Sequence, residues 1–286
     1  MMVLEIFQRA LLGVVITGLV APSLGIYLVQ RRMSLIGDGI GHIALTGVGL
    51  GLLTGAQPVL TAVLVAIAGA VAVELVRARG RTSGDMALAI MFYGGISGGV
   101  FLVGLAPGRS NSNLMAYLFG SPLTTTARDL VTMAILGGAV LAVTLGLRPW
   151  LFAVCQDEEF AKVAGLPVRM LNLLLAVMTA VTVTVAMRAV GLLLVSALMV
   201  VPVAAAQLLS RGFAGTLALS LLAGVFSGVT GFFVSLGMDT GTGATVVLTA
   251  IALFVLLVLL SPVIGRRWRP MASENGEQPE WVLESQ

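Results

Sequence analysis

Apolar residues run through this chain in blocks of about twenty, separated by short polar connections, and the blocks fall near 7–29, 34–54, 57–76, 86–106, 128–148, 170–187, 190–210, 213–236 and 243–263. A helix rises about 1.5 Å per residue, so each block can cross roughly 30 Å of hydrocarbon. None shows the strict apolar–polar alternation that the strands of a membrane barrel require. The pattern predicts an all-α polytopic membrane protein with nine spans, or eight if one block is only partial. Two blocks are open to that reduction. The second carries Gly37, Gly39, Gly41, Gly47, Gly49, Gly51 and Gly55, which could break the helix, and the sixth is short, ending at Met187.

Composition agrees: 58% of the 286 residues are hydrophobic and 10% charged, with a mean hydropathy of +1.06, outside the range of soluble domains. The first block is longer than a signal-peptide core and is followed by Arg31 and Arg32, so it reads as a retained helix. The basic residues then set the topology. Arg31, Arg32, Arg77, Arg79, Arg81, Arg148, Lys162, Arg169, Arg211, Arg266, Arg267 and Arg269 fall in one set of connections, and Arg9, Arg109, Arg128 and Arg188 in the other. The richer set belongs in the cytoplasm, with the amino terminus outside and the carboxyl terminus inside. Because these residues lie between apolar blocks and form no single patch, the net charge of +3 gives no reason to expect a nucleic-acid partner. Residues 1–265 form the membrane domain, and 266–286, rich in Glu and Pro, read as a disordered cytoplasmic tail. The single cysteine, Cys155, allows no intramolecular disulfide and reads as a small inert residue.

Within the second block lie Asp38 and the only histidine, His42. Four residues apart on a helix, they share one face. Ionisable groups at bilayer depth are costly and mark transport or ligand sites, and a carboxylate with an imidazole suits Zn²⁺ or Mn²⁺. Spacing alone serves equally well for a pair that satisfies itself at a helix contact. Small residues four apart, such as Gly95 with Gly99 and Gly224 with Gly228, predict close helix crossings.

The segment 155–169 differs from the other connections. Asp157 to Ala164 reads as a short helix with Asp157, Glu158 and Glu159 in its first turn, closed by Gly165 and Pro167. Phe160, Val163 and Ala164 form an apolar stripe beside Ala161. Such a helix is either a surface connector or a knob that docks into a cytoplasmic partner. A phosphate-binding loop needs a lysine after its glycines, and the only lysine, Lys162, follows Glu158-Glu-Phe-Ala161. The chain has no such means of using ATP and no evident hydrolase triad. A gradient or another subunit must supply the energy.

The run Arg31-Arg-Met-Ser-Leu-Ile-Gly-Asp-Gly-Ile-Gly-His42 with Ile-Ala-Leu-Thr-Gly47 resembles the signature of the membrane permeases of zinc- and manganese-uptake ABC importers. Tyr117-Leu-Phe-Gly120, the loop around Asp157–Gly165, Leu193-Leu-Val-Ser-Ala-Leu-Met-Val-Val-Pro202 and Gly243-Ala-Thr-Val-Val-Leu248 match further segments, through nearly all of residues 5–263. Thr46 stands where the family usually has proline, and Gly41 where it often has serine. The resemblance implies a non-enzymatic transport subunit of a prokaryotic plasma membrane. In that family's terms Asp38 and His42 are the metal residues, and Asp157, Glu158, Glu159, Phe160, Ala161, Ala164, Gly165 and Pro167 the segment coupling to a separate ABC ATPase. It also implies a homodimer, an extracytoplasmic metal-binding protein, and no permanently bound cofactor, Zn²⁺ or Mn²⁺ being cargo. Competing readings are a permease for iron chelates or cobalamin, whose cargo arrives already chelated, and a proton- or ion-coupled secondary metal carrier. A carrier would use ionisable groups in a relay, whereas Glu74 and Asp85 sit at block ends beside Arg77 and Arg81.

Overall fold

The computed structural model describes residues 2–78, 84–106, 117–187 and 189–266. Among them there is no strand, and the helices are α1 (Met2–Gln30), α2 (Ile36–Thr54), α3 (Pro58–Ala78), α4 (Gly84–Leu105), α5 (Ala127–Gly146), α6 (Arg148–Gln156), α7 (Glu158–Val163), α8 (Val168–Ala186), α9 (Leu192–Leu209), α10 (Phe213–Met238) and α11 (Thr242–Arg266). Eight of these described helices, all but α6, α7 and α9, are long and apolar enough to cross a membrane. The remaining expected block is α9, apolar but shorter. The sixth block is a full helix, α8, and is no partial segment. Residues 267–286, with the expected disordered tail, lie outside the described residues, as do Arg79, Arg81, Arg109 and Arg188.

The glycine-rich second block does not break. It runs as one helix to Gly55, whose left-handed backbone ends it. Its neighbours supply the reason. Without side chains between them, backbones approach closely: a Cβ on Gly47 would lie 2.6 Å from Ala62 Cα of α3, and one on Gly95 of α4 would lie 2.4 Å from the carbonyl carbon of His42. Helices α3 and α4 thus clamp α2 from two directions, and its internal hydrogen bonds satisfy the backbone where water is absent. Of the two four-residue registers on α4, Gly95 and Gly99 carry this contact, whereas Gly94 faces open space.

Helices α1, α2, α8 and α9 form the interior, with Leu24, Tyr27, Ile40, Val48, Val183 and Leu198 fully buried. Helices α4, α5 and α11 turn apolar side chains outward, among them Ile90, Phe101, Ile135 and Leu259. Exposed apolar faces on helices of this length suit contact with lipid or with another membrane chain.

The two ends of the bundle differ. At the arginine-rich end, Tyr27 Oη donates to the Thr144 carbonyl at 2.6 Å, Arg148 lies 5.5 Å from the centre of the Phe213 ring, and Glu74 accepts two 2.8 Å bonds from Arg77. This last pair is the helix-end ion pair expected for Glu74; the side chain of Asp85 lies outside the described residues. At the opposite end three segments meet backbone to backbone. A Cβ on Gly243 would fall 1.8 Å from the Val190 carbonyl oxygen, and one on Gly120 would lie 2.4 Å from the Val190 carbonyl carbon. The fifth block stops at Gly146, and the connector after it contains α6. The apolar pattern does not show this helix, because it is nine residues long, too short for a block, with Pro149 near its start.

Candidate metal site and coupling segment

Asp38 and His42 project from the first two turns of α2. Asp38 is half-buried and lines a cleft of about 270 Å³ between α2 and α4, with Leu35, Gly39, Leu88, Ala89, Phe92 and Tyr93 around it. His42 is buried, its imidazole meeting the edge of the Phe92 ring with centroids 4.3 Å apart. No hydrogen bond joins the two among the described residues. The reading of the pair as a self-satisfied contact therefore loses its main support. Asp38 instead accepts a hydrogen bond from Ser196 Oγ of α9, while His42 Nδ1 is buried without a partner. A buried imidazole nitrogen left unpaired is costly, and neutral imidazole offers a metal a lone pair. Among the described residues no group of three His, Cys, Asp or Glu side chains is placed to hold an ion, so one chain offers two strong donors.

Thr46, one turn beyond His42, donates from Oγ1 to the Gly95 carbonyl at 2.8 Å. The residue that replaces proline in the signature thus ties α2 to α4 beside the site.

In the connector, Asp157 caps α7, its Oδ1 accepting from the backbone of Glu159 and Phe160 at 3.0 Å each. The helix closes at Gly165, whose φ is +80°. Gly165 N–H donates to Lys162 O and Leu166 N–H to Ala161 O, the paired bonds of a Schellman cap. Phe160 and Val163 are 66% and 88% exposed, and Ala161 is fully buried. Ala161 therefore seats the helix, while Phe160, Val163 and Ala164 face outward. Cys155, behind this segment, is buried, and burial pushes its thiol up to about 11. It stays protonated near neutral pH, as expected of an inert residue.

Ser196, Phe92 and Asn172 were not legible as site residues. Ser196 lies inside the Leu193–Pro202 segment, yet nothing in its local spacing points at Asp38; the contact is made by the crossing of α9 with α2. Arg31, read as a topological charge and as the first residue of the signature run, donates to Asn172 Oδ1 of α8 at 2.8 Å and to Glu158 Oε2 of α7 at 3.0 Å.

The model of the ABC 3 transport family matches residues 3–261. The chain belongs to that family. This ABC 3 family protein is 32% identical, over 92% of its length and 90% of the relative's, to the manganese transport system membrane protein MntC of Halalkalibacterium halodurans. It is 30% identical to the high-affinity zinc uptake system membrane protein ZnuB of Haemophilus influenzae, over 88% of this chain and 96% of that one. The structure of PsaBC from Streptococcus pneumoniae in complex with Fab superposes with a TM-score of 0.82 at 28% identity, covering 92% of this chain and 94% of that one. The ABC 3 family protein is thus a multi-pass transport subunit of the bacterial plasma membrane, with the all-α architecture the apolar blocks predict.

Proposed function

We propose that this chain is the permease subunit of an ABC importer that carries a divalent transition-metal ion, zinc or manganese, through the bundle past Asp38 and His42. The observation that carries the reading is this pair on one face of α2: a carboxylate in an open cleft, and an imidazole with a buried, unpartnered nitrogen one turn away. The relatives named for manganese and zinc transport support the same class of cargo. A secondary carrier is disfavoured by Glu74, which is engaged on both oxygens by Arg77 and does not stand free in a relay.

A Zn²⁺ site prefers about four ligands and Mn²⁺ accepts more, so two donors from one chain are too few. The Asp38 cleft opens beside the exposed face of α4, which presents Ile90 and Tyr93. A carboxylate at this depth belongs against protein or water. We therefore infer that the cleft faces a second copy, which doubles the donor set. The exposed Phe160 and Val163 supply a docking knob for an ATPase subunit, and an extracytoplasmic binding protein delivers the ion at the opposite end.

The test is uptake of radiolabelled Zn²⁺ and Mn²⁺ by Asp38→Asn and His42→Ala variants at matched membrane levels. Each should lose uptake by about 100-fold or more. Near-normal uptake in both would remove the pair from the transport path.

A further inference from the structure

We propose that Arg31 is the strut that joins the coupling segment to the helix carrying Asp38 and His42, and so passes movement of α7 to the metal site. This rests on the reading above. The Arg31 side chain is only 10% exposed and divides its guanidinium between two elements, one nitrogen on Asn172 at the start of α8 and another on Glu158 in the first turn of α7. Among the described residues, this is the only side-chain hydrogen bond that ties α7 to a part of the chain distant in sequence. The other side-chain hydrogen bonds and ion pairs of α7 are the Asp157 cap and Lys162, which pairs with Glu158 and Glu159, and Arg77 of α3 lies within electrostatic reach of Glu158 without bonding to it.

On its other side Arg31 has almost no slack. Arg31 N–H bonds to Tyr27 O, Met33 N–H to Leu28 O at 2.9 Å and Ile36 N–H to Met33 O at 3.1 Å, with Arg32 in the left-handed region at φ 56°. This tight turn ends α1 and starts α2, with Asp38 two residues inside it. A shift of α7 that draws Glu158 along therefore pulls on the base of α2. The strut also has room to move, for beside it lies a cavity of about 470 Å³ bordered by Gln30, Arg32, Glu74, Arg77 and Glu158. A planar guanidinium with fixed donors suits such a role, because it holds direction as well as distance. The pair need not be there for stability, since a buried ion pair gives little net gain over apolar packing.

The experiment uses the assembled transporter, with its ATPase and binding protein, in proteoliposomes, and measures Zn²⁺ or Mn²⁺ uptake alongside ATP hydrolysis. Arg31→Gln and Glu158→Gln should each lower the ions moved per ATP by about tenfold, and in Arg31→Gln, which lies outside the coupling segment, hydrolysis and subunit association should stay within about twofold of wild type. The exchanged pair Arg31→Glu with Glu158→Arg should recover part of the loss. Parallel loss of transport, hydrolysis and association in both single variants, with no recovery in the exchanged pair, would reduce Arg31 to a static brace; normal uptake by both would remove it altogether. A wild-type complex that takes up neither metal with ATP would sink the permease reading as well, and that result is distinct from a failure confined to the variants.

Discussion

Helix α2 and helix α7 both place acidic residues in their first turn, yet they settle their polar groups in opposite ways. In α7 all but one of these groups are settled locally: Asp157 caps two backbone N–H groups, Glu159 takes Lys162 and Gly165 turns the chain away, while Glu158 alone reaches a distant residue, Arg31. In α2 they are settled at a distance or not at all. Asp38 is held by Ser196, 158 positions along the chain, and His42 Nδ1 has no partner. A segment that satisfies itself is a mechanical part, stable in shape and free to be pushed. A segment that leaves an imidazole nitrogen unpaired inside the bundle, one turn from a carboxylate, is where the binding role proposed above would be carried.

The sharpest way to break this contrast is at the clamp on α2. Gly95→Leu drives a side chain into the His42 backbone, and overpacking of this kind costs about 3 kcal/mol. The variant should show a markedly lower thermal midpoint in detergent, while Gly94→Leu, which meets nothing within 4 Å, should behave as wild type. Equal midpoints for the two would mean that α2 is not clamped there.

Next in size is the distant partner. Ser196→Ala frees the Asp38 carboxylate from its orienting bond, and on the proposed role of Asp38 as a metal ligand such a loss weakens metal affinity by about tenfold. The Michaelis constant for uptake should rise by that factor with the maximal rate nearly unchanged. An unaltered Michaelis constant would show that Asp38 needs no orientation from α9.

The smallest effect belongs to the self-contained part. Gly165→Ala has open space for its methyl group, so the only cost is the left-handed backbone, about 1 kcal/mol. A drop in thermal stability of that order with transport retained is expected. A large loss would mean that the cap is engaged by more than its own helix.

The same contrast explains what could be read from the sequence. The spans followed from block length, and α7 with its cap and closing glycine followed from residues at most eight apart, because local hydrogen bonds are written in local order. Asp38 and His42 stood out because charge is rare at that depth. Their surroundings did not: Phe92, Ser196, and the Arg31 contacts with Glu158 and Asn172 depend on which helices cross, which spacing along one helix does not encode. The glycines of α2 left two readings open for a related reason. Read singly they permit a break, but in the bundle they are the surface on which α3 and α4 rest.

Thr46 bears on how this surface could work as a machine. A proline at that position would delete a helix bond and bend α2 in every state of the cycle. A hydroxyl bonded to the Gly95 carbonyl leaves the helix continuous and adds a lateral tie to α4. The midpoint of α2 is therefore fastened sideways to α4, a join that proline, with no hydroxyl to donate, would leave unmade.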